Sequence, residues 1–154
     1  MKQLAVAVVL AAALASGLAG CTTTSACLDY VSYGSPTEMA EASVLVVTGR
    51  QTPTGETVDQ NGAFVAVHEI EIDRVLKGDV ATDTIAAVAP AGDCFEVGST
   101  IDDKGSILNV DGMAEFFLVW NRDHWVTLTP FEGVEPVPAS GDLPWDPAVE
   151  DSAQ

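Results

Sequence analysis

The sequence predicts a small, mainly β domain, a barrel or sandwich of short strands entered through one helix. Three observations carry this reading. Apolar runs of strand length recur along the chain, polar turns containing Gly, Asp or Asn separate them, and only one segment has the chemistry of a helix start.

That helix is expected at Ser35-Pro36-Thr37-Glu38. Ser35 is suited to cap, Pro36 to occupy the first helical position, and Glu38 to complete a capping box, with the helix running to about Ala42. Val44 to Thr48 reads as a buried strand ending at Gly49, and the Pro-, Gly- and Thr-rich segment from Thr52 to Gly62 reads as a loop. A longer strand follows from Phe64 to Arg74. Phe64, Ala66, His68, Ile70 and Ile72 share one face, and Val65, Val67, Glu69, Glu71 and Asp73 share the other. Lys77-Gly78-Asp79 turns the chain into a third strand, Thr84 to Val88. Glu115 to Trp120 and His124 to Thr129 form a hairpin about Asn121-Arg122-Asp123, and a last strand is placed around Gly133 to Val137. From Pro138 to Gln154 the chain reads as an acidic, Pro-rich tail, loosely ordered except where Trp145 docks back.

The N-terminus carries an address. Lys2 precedes an unbroken apolar run of about eleven residues from Leu4 to Leu14, too short to span a bilayer stably. Leu18-Ala19-Gly20-Cys21 then resembles the lipobox of bacterial lipoproteins. The resemblance implies a signal peptide over 1–20, diacylglyceryl transfer to the Cys21 sulfur, and cleavage that makes Cys21 the first residue. Two acyl chains hold a protein on a membrane where one binds only marginally. The expected location is therefore the outer face of the cell membrane. The alternative is an ordinary signal peptide with a cysteine beside its cleavage site. Residues 21–26 read as the lipidated cysteine and a polar tether, with the β-domain spanning 27–137.

The mature chain keeps five basic residues (Arg50, Arg74, Lys77, Lys104 and Arg122) against 23 acidic ones, a formal charge of −18. Such a surface repels phosphates, so nucleic acid is excluded as a partner. It suits a cationic partner or Ca²⁺, or simply keeps an exported protein soluble. With Cys21 modified, Cys27 and Cys94 remain, and an even pair outside the cytoplasm is expected to form a disulfide. A catalytic or metal-binding thiol is the sharper alternative, but no histidine is near either cysteine in sequence.

The order of capped helix, Val-rich strand, long strand ending Val75-Leu76-Lys77-Gly78-Asp79 and late Phe-Leu strand resembles a further family. It looks like the small secreted domains with a tissue-inhibitor-of-metalloproteinase-like or netrin-like module. The VLKGD corner and the segment Thr129 to Val134 also look like lipoproteins of high-G+C Gram-positive bacteria. The resemblance implies an OB-like, five-stranded β-barrel in which Gly78 permits the turn and Leu76 plugs the barrel. It carries no activity across. The inhibitors chelate zinc through the free amine of an N-terminal cysteine, whereas here Cys21 bears lipid and Cys27 is internal.

No catalytic set emerges. Gly98-Ser99 lacks a nucleophile-elbow context, His68 reads as a packed or rim residue, and His124 follows a turn with no motif partner. Two lone histidines on different hairpins are not a zinc signature. Asp102, Asp103, Asn109 and Asp111 are oxygen ligands on Gly-containing loops and form a weak Ca²⁺ candidate, against a reading as solvated turns. No cofactor is expected. The expected function is a membrane-tethered, non-enzymatic module that binds a protein or envelope ligand. The alternative is a secreted hydrolase or protease-inhibitor-like protein.

Overall fold

The structure, a computed structural model, describes residues 23–150. The signal segment 1–20 and Cys21 lie outside the described residues. The elements are β1 (Ser25–Cys27), α1 (Pro36–Ala42), β2 (Leu45–Gln60), β3 (Ala63–Lys77), β4 (Thr84–Val88), β5 (Cys94–Glu96), β6 (Ala114–Asn121), β7 (His124–Thr127), β8 (Val134–Pro136) and α2 (Pro147–Glu150).

The strands β2-β3-β4-β7-β6 pair in that order, and β6 pairs back onto β2, closing a five-stranded barrel. The β4–β7 pair is parallel and the other barrel pairs are antiparallel. β8 extends the sheet along β6, while β1 and β5 form a separate two-stranded sheet. The molecule is thus mainly β with one short helix entering the barrel, as the turn spacing and the single capped segment predict.

The largest difference lies between Thr52 and Gly62. This segment continues β2 and pairs with β3 as a long hairpin, not a loop. Asn61 and Gly62 both have positive φ, 57° and 93°, the geometry of a two-residue hairpin turn. Pro53 is tolerated because the pairing lapses between Pro53 and Thr57, where Thr54 Oγ1 instead donates to the Val67 carbonyl (2.8 Å).

Three apolar clusters follow from strand alternation. Leu45, Val47, Ile70, Ile85, Phe116 and Leu118 point inward and fill the barrel with Leu108. On the outer surface Val65, Val67, Val88 and Val126 form a patch covered by Phe95, Ala26 and Leu28 of the β1–β5 region. A second outer patch, Val46 and Phe117, is covered by Met39 and Ala40 of α1 and by Leu76 and Trp145. Leu76 therefore seals the helix against the outside of the barrel and does not plug its interior.

The local chemistry of α1 matches its sequence. The Glu38 N–H donates to Ser35 Oγ (3.2 Å), while the Glu38 carboxylate accepts from the N–H of Gly34 (2.6 Å), one residue before the cap, and not from Ser35 as in the expected capping box. At the other end Lys77 Nζ donates to the carbonyls of Ala40 and Ser43 (2.6 and 2.8 Å), neutralising orphan acceptors of the last turn. Gly78 has φ 82°, and a Cβ there would lie 2.4 Å from the Val44 carbonyl oxygen. The Lys77-Gly78 corner is thus a device for seating the helix.

Cys27 and Cys94 form a disulfide. They are directly opposed in the antiparallel β1–β5 pair, with Cα atoms 4.1 Å apart. The loop is closed over 67 residues, for which loop-closure entropy gives roughly 4 kcal/mol. β1 begins inside the stretch expected as tether: the Val97 N–H donates to the Thr24 carbonyl (2.8 Å). Trp145 docks, as expected, and the chain beyond it turns into α2.

Candidate functional site

One group of polar side chains is gathered around His68. This residue is fully buried, on the inward face of β3 beside Ile70. Its Nδ1 lies 2.7 Å from Gln51 Oε1 of β2, and its Nε2 lies 2.9 Å from Asp103 Oδ1. Gln51 is oriented by its own bond, Nε2 donating to the Val110 carbonyl (3.2 Å). Flipping the amide would set Oε1 against that carbonyl, acceptor to acceptor, so Gln51 presents an acceptor to His68. Both ring nitrogens are thus engaged by side chains, Nδ1 by Gln51 and Nε2 by Asp103. The chain Val110–Gln51–His68–Asp103 fixes the Asp103 carboxylate from inside the barrel.

Asp103 is the outer end of this relay. Its side chain is 30% exposed and opens onto a cavity of about 220 Å³. Val65, Ala89, Ile101 and Pro90 make apolar walls, Asp102 and Ser106 add polar edges, and Phe131, 61% exposed, stands at the rim.

The four oxygen-ligand candidates do not converge on one point. Asp102 caps the 3₁₀ turn Asp103–Gly105 by accepting from the Lys104 N–H (3.1 Å). Asp103 Oδ1 is taken by His68, and Asn109 points its amide nitrogen at the Asp103 carbonyl, donating where a ligand would accept. Asp111 makes no hydrogen bond with them. Among the described residues no group of three or more His, Cys, Asp or Glu side chains is arranged to hold a metal ion.

The remaining candidates are dispersed. His124 is half-buried against the exposed Asp123 carboxylate (3.2 Å). Trp120, 53% exposed, meets Trp125 edge to face at 5.0 Å across the β6–β7 pair. Ser106 Oγ accepts from the Leu108 N–H, and neither histidine is bonded to a hydroxyl.

One buried ionisable residue escaped sequence reasoning. Glu115, on β6, is fully buried. Its Oε2 accepts from the Trp145 backbone N–H (3.1 Å), and its Oε1 has no partner. Burial pushes its carboxyl up to about 7. The Trp145 N–H and Arg74 oppose the rise, while Glu135 and Asp146 reinforce it. The signal was present: Glu115 alternates with the outward Phe117, so a charge there sits beneath whatever covers Phe117.

Fold and cavity together define a small, disulfide-stapled, closed five-stranded mixed barrel. No protein-family profile, curated protein or solved structure matches the chain.

Proposed function

We propose that this is a lipid-anchored, extracytoplasmic binding module whose ligand enters the cavity beside Asp103. The observation that carries the reading is the relay itself. His68 commits both nitrogens to Gln51 and Asp103, so it positions a carboxylate at an apolar cavity and has no free nitrogen for use as a base. A site of this kind suits a compact apolar group carrying a cationic or hydrogen-bond-donating head. The acidic surface favours the encounter with such a ligand. The hydrolase alternative is the weaker reading, because it needs a nucleophile within reach of a free base. The strand order, with its parallel β4–β7 pair, supports an OB-type barrel.

Anchoring rests on the complete lipobox and on where β1 begins. Two residues, Thr22 and Thr23, separate the lipidated position from Thr24, whose carbonyl accepts from the Val97 N–H. Even fully extended, at about 3.5 Å per residue, this link would let the barrel stand no more than roughly 10 Å from the membrane. Thr24 lies beside Val97, and the neighbouring Gly98 N–H donates to Gly62, so the Asn61-Gly62 end faces the lipid.

Cys21→Ala is expected to release the protein from the membrane fraction with its fold intact, read by detergent partitioning and circular dichroism. Unchanged partitioning would end the anchoring claim. For the cavity, Ala66→Trp fills the opening from the half-buried Ala66 position. This variant is expected to lose the ligands that wild type captures from solubilised envelope. An identical captured set would place binding elsewhere.

A further inference from the structure

The three buried side-chain polar atoms without a partner among the described residues are Thr48 Oγ1, Glu115 Oε1 and Trp145 Nε1. They are not scattered. Thr48 and Glu115 are directly opposed across the β2–β6 pair, and the Trp145 backbone is bonded to Glu115. The fold therefore concentrates its unmet hydrogen-bonding capacity where residues 138–150 cross the barrel's outer face.

The contacts of that segment explain how it is held. Trp145 packs onto the patch of Val46, Phe117, Met39 and Ala40, an apolar contact indifferent to pH. Its backbone N–H then meets a carboxyl that is 0% exposed. A neutral carboxyl fits this seat, since it accepts from Trp145 through one oxygen and carries a proton on the other. A carboxylate does not fit, because its charge would be buried with only one hydrogen bond. The charged groups around the seat reinforce this. Glu135, opposite Glu115 on β8, and Asp146, on the segment itself, are both acidic, and Arg74 of β3 is the opposing cation. Thr48 of β2 contributes no charge.

We propose that residues 138–150 form a pH-responsive strap, held over the outer face of β2 and β6 by neutral Glu115 and released when that carboxyl ionises. In the docked state a cleft of about 320 Å³ lies between α1 and the strap, lined by Ala40, Leu76, Trp145 and Pro147, and release removes its Trp145 and Pro147 wall. The direction is fixed by linkage. With the strap docked, burial holds the Glu115 carboxyl at about 7, above an ordinary 4.5. The docked strap is therefore fully stabilised below about 4.5, loses stability as pH rises toward 7, and levels off above it. Over that interval the docking constant falls on the order of a hundredfold.

The test is hydrogen exchange of the full chain at pH 5.5 and pH 8, corrected for intrinsic exchange rates. The Trp145 amide, which is the one bonded to Glu115, is expected to lose at least tenfold in protection at pH 8, while the amides of β2 and β6 keep theirs. Glu115→Gln, which retains an acceptor for the Trp145 N–H and cannot ionise, is expected to protect the segment equally at both pH values. Equal protection of the wild-type strap at the two pH values would overturn the proposal. So would a strap unprotected at both, or a Gln variant that keeps the wild-type pH dependence.

Discussion

His68 and Glu115 are both ionisable, both fully buried and both on strands of one barrel, yet their surroundings are opposite. His68 points inward, and two side chains meet its two nitrogens, one of them oriented in turn by a backbone carbonyl. Glu115 points outward under a crossing segment, with one oxygen bonded and one orphaned. A buried polar group whose partners are all supplied by the barrel and its connections behaves as part of the core. One whose single partner arrives on a terminal segment ties that segment's position to its own protonation.

The strongest test of this contrast is His68→Ala. The substitution removes a packed ring and leaves Gln51 and Asp103 without their partner, so cavity and desolvation costs combine. A loss of roughly 3–5 kcal/mol is expected, read by urea denaturation. The Asp103 carboxylate should also lose its fixed position, and ligand capture through the cavity should fall with it. A loss below about 1 kcal/mol would mean that the relay is decorative and the contrast with Glu115 is false.

The two sites also differ in how much of them could be read from sequence. The disulfide was legible from the count of cysteines, and the helix from Ser35, Pro36 and Glu38, because these are local or arithmetic signals. The hairpin was hidden: Pro53, Gly55 and Asn61-Gly62 have loop composition, and the segment is strand because β3 supplies partners along it. The relay was hidden for a similar reason. Gln51 and Asp103 stand 17 and 35 residues from His68, and only the closed barrel brings them together. Glu115 was legible in principle, as an acid among Ala114, Phe116 and Phe117. Its partner, the Trp145 backbone, lies 30 residues on and leaves no trace in side-chain pattern.

Glu115→Gln should produce a smaller effect than His68→Ala, and of opposite sign. The wild-type carboxyl is raised from 4.5 to about 7, so the folded state binds its proton more tightly than the unfolded chain does. Folding stability is greatest below 4.5, declines as pH climbs to 7, and is flat beyond. Gln resembles the neutral acid at every pH. It is expected to leave stability nearly unchanged at pH 4.5 and to raise it by roughly 2–3 kcal/mol at pH 8, seen as a higher Tm only on the alkaline side. A variant less stable than wild type at pH 8 would show that the carboxylate is welcome in its seat, and the contrast with His68 would collapse.

The smallest effect belongs to Thr48→Val. The two side chains have nearly the same shape, so packing at this buried position is preserved and only the hydroxyl is lost. That hydroxyl is buried without a partner, and removing it should relieve part of its desolvation cost, by about 1 kcal/mol or less at pH 8. Combining it with Glu115→Gln then asks whether the two orphaned atoms ignore each other in solution. Residues opposed across a strand pair commonly couple by about 0.5 kcal/mol or more when their side chains interact. With neither atom bonded to the other, the double-mutant cycle is expected to give less than that. A coupling above about 1 kcal/mol would reveal a direct or water-mediated bond between Thr48 and Glu115. The seat would then be satisfied much as His68 is, and the strap would lose its reason to respond to pH.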